Sequence, residues 1–209
     1  MLYFAWQRLL FHNYRMEITT ELIKQLRDET GVSVMQCKKA LEEAKGDLEK
    51  AKVILRKQSA ASASKKADRA LGAGIAAAYT HAGGAVVGAV VLGCETDFVS
   101  RNPEFAKLAY DVAMHVAAMD PIWKEKGEVS EADTQAARAV FQDEVAKLPE
   151  SSRQKALEGK MDSFVSERSL LEQSFVKDPS RTVRNLLEEA IQKFGEKIDV
   201  VRFERLSVK

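Results

Sequence analysis

The chain has two cysteines, Cys37 and Cys94, too few for a disulfide framework. A scaffold stapled for an oxidising compartment is therefore excluded, and both residues read as reduced thiols of a cytoplasmic protein. Three histidines, at 12, 81 and 115, are too scattered to complete a zinc site. Neither sign of charge dominates: 32 Lys and Arg against 31 Asp and Glu leave a formal charge of +1. That balance supplies no general pull toward nucleic acid or acidic membranes. No apolar stretch approaches the ~18 uncharged residues of a membrane span. No Ser or Cys stands in a glycine-rich elbow, and there is no phosphate loop or paired-histidine metal motif. Glycines 72, 74, 83, 84, 88 and 93 fall in and around a hairpin rather than ahead of a helix, so hairpin and bulge positions explain them without a dinucleotide. What remains is a binding protein with no cofactor.

With 45% hydrophobic residues the chain has material for one or two cores. Residues 16–57 read as three short helices. Thr19 caps the first, whose apolar face is Leu22, Ile23 and Leu26, and Gly31 ends it. Ser33 and Gln36 form a capping-box pattern for the second, which buries Ala40, Leu41 and Ala44. Gly46 stops it, and Asp47 starts a third with Leu48, Ala51, Ile54 and Leu55 inward. Such a bundle is like a ubiquitin-associated domain. Residues 58–70 are rich in Ala, Ser and Lys without a large apolar side chain, as in a partly helical, solvated linker.

A second domain, 71–209, begins with two apolar runs, 75–81 and 85–93, separated by Ala82-Gly83-Gly84. This is a β-hairpin pattern. Val86, Val90 and Leu92 share one face, Val87 and Val91 the other. A third strand over 198–206 places Ile198 and Val200 on one side and Val201 and Phe203 on the other. Helical stripes lie between, over 105–116, 130–147, 152–166 and 181–194. His115 falls inside the first of them and reads as a structural histidine. The fold class expected is α+β: a three-helix domain, then a three-stranded antiparallel sheet packed with helices. The chain has helices for one sheet face only, so the other needs a cover.

The segment Cys94-Glu95-Thr96-Asp97-Phe98-Val99 stands between an apolar strand and the helix start Asn102-Pro103-Glu104. It puts an acid and a large aromatic side by side at the tip of a strand-to-helix turn. Two readings are open from the residues alone. Phe98 folds back as a lid on the first helical turn, or it is a wedge for a partner, with Asp97 beside it to compete for a cation or an amide. Burying one such ring contributes ~1.5–3 kcal/mol.

The block from Thr30 to Leu41, T-G-V-S-V-M-Q-C-K-K-A-L, followed by Ala44-Lys45-Gly46-Asp47, resembles the N-terminal module of the elongation factor Ts family. Thr96-Asp97-Phe98-Val99 matches that family's other signature in the expected order. Ala113 to Ala117, Leu170 to Gln173, Phe175 to Asp178 and Val201-Arg202-Phe203 add to the match, which runs from Met16 to Lys209. The resemblance implies a guanine-nucleotide exchange factor, not an enzyme, whose partner is the translational GTPase elongation factor Tu. It implies that Thr96, Asp97, Phe98 and Val99 insert beside the GTPase's nucleotide site and help dislodge its magnesium. It further implies contacts through Val34, Met35, Cys37 and Lys38, and through His81 in a loop that reaches the GTPase's third domain. Val34 and Gln36 stand where the family commonly has Met and Asp; Ser174 replaces a usual proline, Gly93 a usual asparagine, and Asp162-Ser163 a basic pair. The chain looks like the short form of the family, in which two protomers associate through their sheets.

Two rivals arise from the residues. The three-helix domain alone fits an adaptor unrelated to translation, and Lys65, Lys66 and Arg69 fit an RNA-binding module. The tip favours neither. Residues 1–15, aromatic-rich with two arginines and no acid, are expected to be an extension from a start called too early. A short organelle-targeting segment is the alternative.

Overall fold

The computed structural model describes residues 18–208, so the expectation for residues 1–15 lies outside the described part. The chain divides into two compact units between Ser62 and Ala63. In the first, α1 (Thr20–Thr30), α2 (Val34–Glu43) and α3 (Leu48–Ser64) surround Leu26, Val32, Cys37, Ala40, Leu41, Ala51 and Leu55. The stops are those the sequence announces. Thr19 Oγ1 accepts from Leu22 N at 3.2 Å, and Gly31 takes the left-handed conformation at φ 67°. Ser33 caps α2, yet Gln36 uses its side-chain oxygen to accept from the Ser33 hydroxyl at 3.0 Å instead of returning to the cap's backbone. The expected linker is partly helical: its first half, through Ser64, continues α3, in line with the high helix propensity of alanine.

The second unit is built on an antiparallel sheet of β1 (Ala73–His81), β2 (Val86–Cys94) and β5 (Ile198–Ser207), in the order β1-β2-β5. Between β2 and β5 come α4 (Asp97–Ser100), α5 (Pro103–Met119), α6 (Glu131–Val145), α7 (Glu150–Arg168), the small ladder of β3 (Ser174–Phe175) and β4 (Asp178–Thr182), and α8 (Val183–Phe194). The sequence pattern does not announce α4, β3 or β4, each being shorter than any period can show. The core joins Val90 and Leu92 of β2, Phe105, Val112 and Val116 of α5, Leu170, and Leu187 and Ile191 of α8 to Val200 of β5. The hairpin of α6 and α7 has its own small cluster of Val145, Leu157 and Met161.

One expectation about the sheet is corrected. Val201 and Phe203 do not share a face. Val91 pairs with Arg202 but Leu92 with Val200, so Val201 is the extra residue of a β-bulge. The bulge turns Phe203 inward, where it packs against the core, and leaves Val201 on the outer surface. A Cβ built on Gly93 would sit 2.9 Å from both Val201 Cγ2 and Leu71 Cδ1. These two side chains occupy the place of the side chain that Gly93 lacks.

α5 comes so close to the sheet that only glycine fits beneath it. A Cβ at Gly88 would lie 2.2 Å from Ala113 O and 2.6 Å from Ala117 N. Ala109, Ala113 and Ala117 recur every four residues along the helix and are buried, so helix backbone meets strand backbone. The flanks of Gly88 are its sheet partners Tyr79 and Arg205. Tyr79 meets Tyr110 edge-on at 5.7 Å, and Arg205 Nε donates to Ala117 O at 3.0 Å.

His115 is fully buried on α5. Its Nδ1 accepts from Val176 N at 3.2 Å, so the proton sits on Nε2, which donates to Gln173 Oε1 at 2.9 Å. Gln173 Nε2 donates in turn to Glu167 O and Met119 O. Burial pushes the imidazole below its ordinary value of 6.5.

Gly88→Ala is expected to cost about 1–3 kcal/mol by overpacking, read as a lower urea midpoint. Gly159→Ala on α7, with nothing within 4 Å, should instead be neutral or stabilising. The histidine sets a pH dependence. A neutral group whose folded pKa is depressed contributes fully above about 6.5, and that contribution is lost as pH falls toward the folded value. The urea midpoint of the wild type should drop from pH 7 to pH 5 more steeply than that of His115→Gln; equal slopes would assign the dependence elsewhere.

Candidate functional site

β2 runs inward to Cys94, whose thiol is buried and donates to Thr96 O at 3.2 Å. The chain then makes one turn of helix, α4, and restarts as α5 at Pro103. Asn102 Oδ1 caps α5 by accepting from Glu104 N at 2.9 Å, and proline suits the first turn because its missing donor is not needed there. The connection is therefore short and closed at both ends.

The sequence grouped four residues on this tip, and the fold divides them. Val99 is buried in the main core and anchors the turn, so it offers no surface. Phe98 is 87% exposed. It does not fold back as a lid, and its neighbour Val99 has taken the inward position. Asp97 is exposed and pairs with Arg101 Nη2 at 3.0 Å. Thr96 is exposed, but its hydroxyl donates to the Glu196 carboxylate, so it makes no cap for α4.

Glu196 and Glu95 are the residues the sequence reading missed. Glu196, on the turn between α8 and β5, accepts from Glu95 N at 3.1 Å, from Thr96 N at 3.0 Å and from the Thr96 hydroxyl. Glu95 returns the interaction, accepting from Lys197 N and from Arg69 Nη1 at 3.2 Å. The Lys197 amide and then the Arg69 guanidinium hold the Glu95 carboxyl below the usual glutamate value. Lys197 Nζ also donates to Ala67 O at 2.6 Å. The partners are about a hundred residues apart in sequence, so no spacing rule could have found them. The one local hint is an acid directly after the helix-ending Gly195.

The other expected contacts lie elsewhere. On the first unit, Val34 and Met35 are large apolar side chains 49% and 65% exposed, and Lys38 is exposed one turn on from Val34. Cys37 does not join them. It is fully buried, with its thiol facing Val32 O and Thr30 Oγ1, and burial pushes its pKa up. A helix face that presents Val34 and Lys38 turns residue 37 into the bundle. His81 ends β1, exposed, with Nδ1 3.0 Å from the Tyr79 hydroxyl. It pairs with Val86, at the other end of β2 from Cys94. At ~3.3 Å per residue this is ~26 Å from the tip. Within one copy, His81 and Phe98 do not form one site.

Among the described residues no group of acids, histidines and cysteines could hold a metal ion, and no helix is long and apolar enough to cross a membrane. Both cysteines are free. The site is an exposed aromatic on a clamped turn, a shape for docking.

Comparison with known proteins agrees along almost the whole length. The family model for Elongation factor TS matches residues 61–209, and that for Elongation factor Ts, mitochondrial, N-terminal matches residues 7–63. Elongation factor Ts of Thermotoga neapolitana is 44% identical over 193 residues, covering 92% of this chain and 98% of its own. That of Solibacter usitatus is 46% identical over 198 residues, covering 92% of each chain. That of Herpetosiphon aurantiacus is 42% identical, covering 92% of this chain and 98% of its own. With both units matched, in order and at this identity, the chain belongs to the elongation factor Ts family.

Proposed function

We propose that the protein is a guanine-nucleotide exchange factor that binds elongation factor Tu in its GDP form and speeds the replacement of GDP by GTP. The observation that carries the reading is Phe98, 87% exposed on a turn whose next residue is locked in the core. An aromatic ring held out in water has no local reason to be there, and its burial in a partner returns ~1.5–3 kcal/mol. Phe98 acts as the wedge beside the GTPase's nucleotide site. Asp97 is its polar neighbour, with Arg101 as the cation it gives up or carries along. Val34, Met35 and Lys38 form a second contact on the first unit, and His81 a third.

The action is a matter of linkage. A factor that lowers GDP affinity must have its own affinity lowered by GDP to the same extent. Magnesium ties the phosphates to the GTPase, and displacing it loosens the nucleotide more than one lost hydrogen bond. No bond in the factor forms or breaks, so the protein needs no catalytic residue and no cofactor. It works in the cytoplasm and prefers neither nucleotide; their ratio sets the direction. Direct nucleic-acid binding is not expected, since Arg69, one of three cations in the basic segment, is engaged by Glu95.

The outer sheet face supports a homodimer. Ala76 and Ala78 of β1, Val87, Ala89 and Val91 of β2, and Val201 and Leu206 of β5 share it, with Arg202 and Glu204 toward one side. Small side chains let two such sheets approach, and a self-complementary patch closes at two copies. Pairing also offers a way for His81 of one copy and Phe98 of the other to reach the same GTPase.

Catalytic amounts of the protein should accelerate release of a fluorescent GDP from elongation factor Tu. Phe98→Ala should melt as the wild type does yet lower that rate by at least ~10-fold, equivalent to ~1.4 kcal/mol; a normal rate would remove the wedge. Sedimentation equilibrium at micromolar concentration should give about twice the chain's 23.2 kDa. An active monomer would overturn the pairing and with it the action of His81 across it.

A further inference from the structure

We propose that Glu196 is a positioning residue for Phe98, and that Thr96 serves the site by binding Glu196 rather than by touching the partner. This rests on the exchange reading above only for its effect on nucleotide release; the latch itself is a property of this chain.

Three donors converge on one carboxylate: Glu95 N, Thr96 N and the Thr96 hydroxyl. A carboxylate that accepts several donors is a strong, directional anchor. The reciprocal bond from Lys197 N to Glu95 means that the α8–β5 turn and the tip hold each other by two carboxylates crossing in opposite directions. Arg69 and the Lys197 ammonium then tie residues 67–69 onto the same knot.

The tip needs such an anchor. α4 is a single turn of four residues, and a lone helical turn has no stability of its own because nucleation is costly. Its far end is fixed by Val99 in the core. Its near end has no side-chain cap, because the Thr96 hydroxyl is turned away to Glu196. With Glu196 removed, residues 95–97 would hinge about Val99, and the ring of Phe98, which touches little of its own protein, would sample many directions. The partner would then have to re-order that backbone on docking. Re-ordering about one residue corresponds to roughly a tenfold loss of affinity.

The test measures fluorescent GDP release from elongation factor Tu against factor concentration for Glu196→Ala, Glu196→Gln, Thr96→Val and Thr96→Ser, each also combined with Phe98→Ala. Amide hydrogen exchange at residues 95–97 is read in parallel. Glu196→Ala and Thr96→Val should raise the concentration giving half-maximal rate, Glu196→Ala by ~10-fold, with melting temperature unchanged. The amides of Glu95 and Thr96 should exchange faster in Glu196→Ala. Glu196→Gln and Thr96→Ser should recover part of the loss, since each keeps an acceptor or donor in place. In the Phe98→Ala background the same changes should cost little more, because coupled residues are not additive. A full additional loss in that background, or unchanged amide exchange in Glu196→Ala, overturns the proposal. Should Glu196→Ala unfold, Thr96→Val at an exposed position decides the case. Failure of the wild type to release GDP would defeat the exchange reading, and amide exchange would still judge the latch.

Discussion

The sheet and the helix that covers it are built on the contact between the backbones of α5 and β2 at Gly88. With no Cβ in the way, Ala113 O and Ala117 N come within the space a side chain would fill, and the helix lies directly on the strand. β2 and α5 are neighbours in sequence as well as in space, and residues 95–102 join them. Val99 takes an inward place there, and Phe98 points into water.

Local interactions alone would not keep such a tip in one direction. The fold answers with distant ones. The Glu196 carboxylate accepts from the Glu95 amide and the Glu95 carboxylate from the Lys197 amide, which joins the α8–β5 turn to the tip, and the buried His115 network ties α5 to the segment ahead of β4. The His115 network satisfies polar groups that would otherwise be unpaired in the core. Together the two devices mean that the helix carrying the tip is held at its start and along its length.

The sheet has two characters. Its inner face carries Leu92, Val90, Val200 and Phe203 against helices. Its outer face is lined with alanine and valine, and the bulge at Val201 takes Phe203 away from it. Had the strand been regular, the outer face would have carried a bulky phenylalanine. Instead it is shallow and small-residue, with Arg202 and Glu204 joined at 3.4 Å.

Much of this was legible in the residues. Caps at Thr19 and Ser33, stops at Gly31 and Gly195, and the hairpin at 82–84 announced themselves, because turn chemistry and apolar period are local properties of a chain. So did the aromatic on the turn, and six spaced blocks sufficed for the family resemblance. What the sequence could not hold was anything decided by a partner far along the chain. Alternation could not show the bulge that reverses Phe203, since one unpaired residue leaves the pattern unchanged in composition. A contact motif could not show that Cys37 and Val99 face inward, because the same stretch of helix has an inner and an outer side. Nor could any spacing join Thr96 to Glu196, about a hundred residues on. The sequence determined the long elements and that an aromatic ring sits on the turn between β2 and α5; only the tertiary structure decided which side chains face water and which carboxylate holds the tip, because burial and long-range hydrogen bonds exist only once the chain has closed on itself.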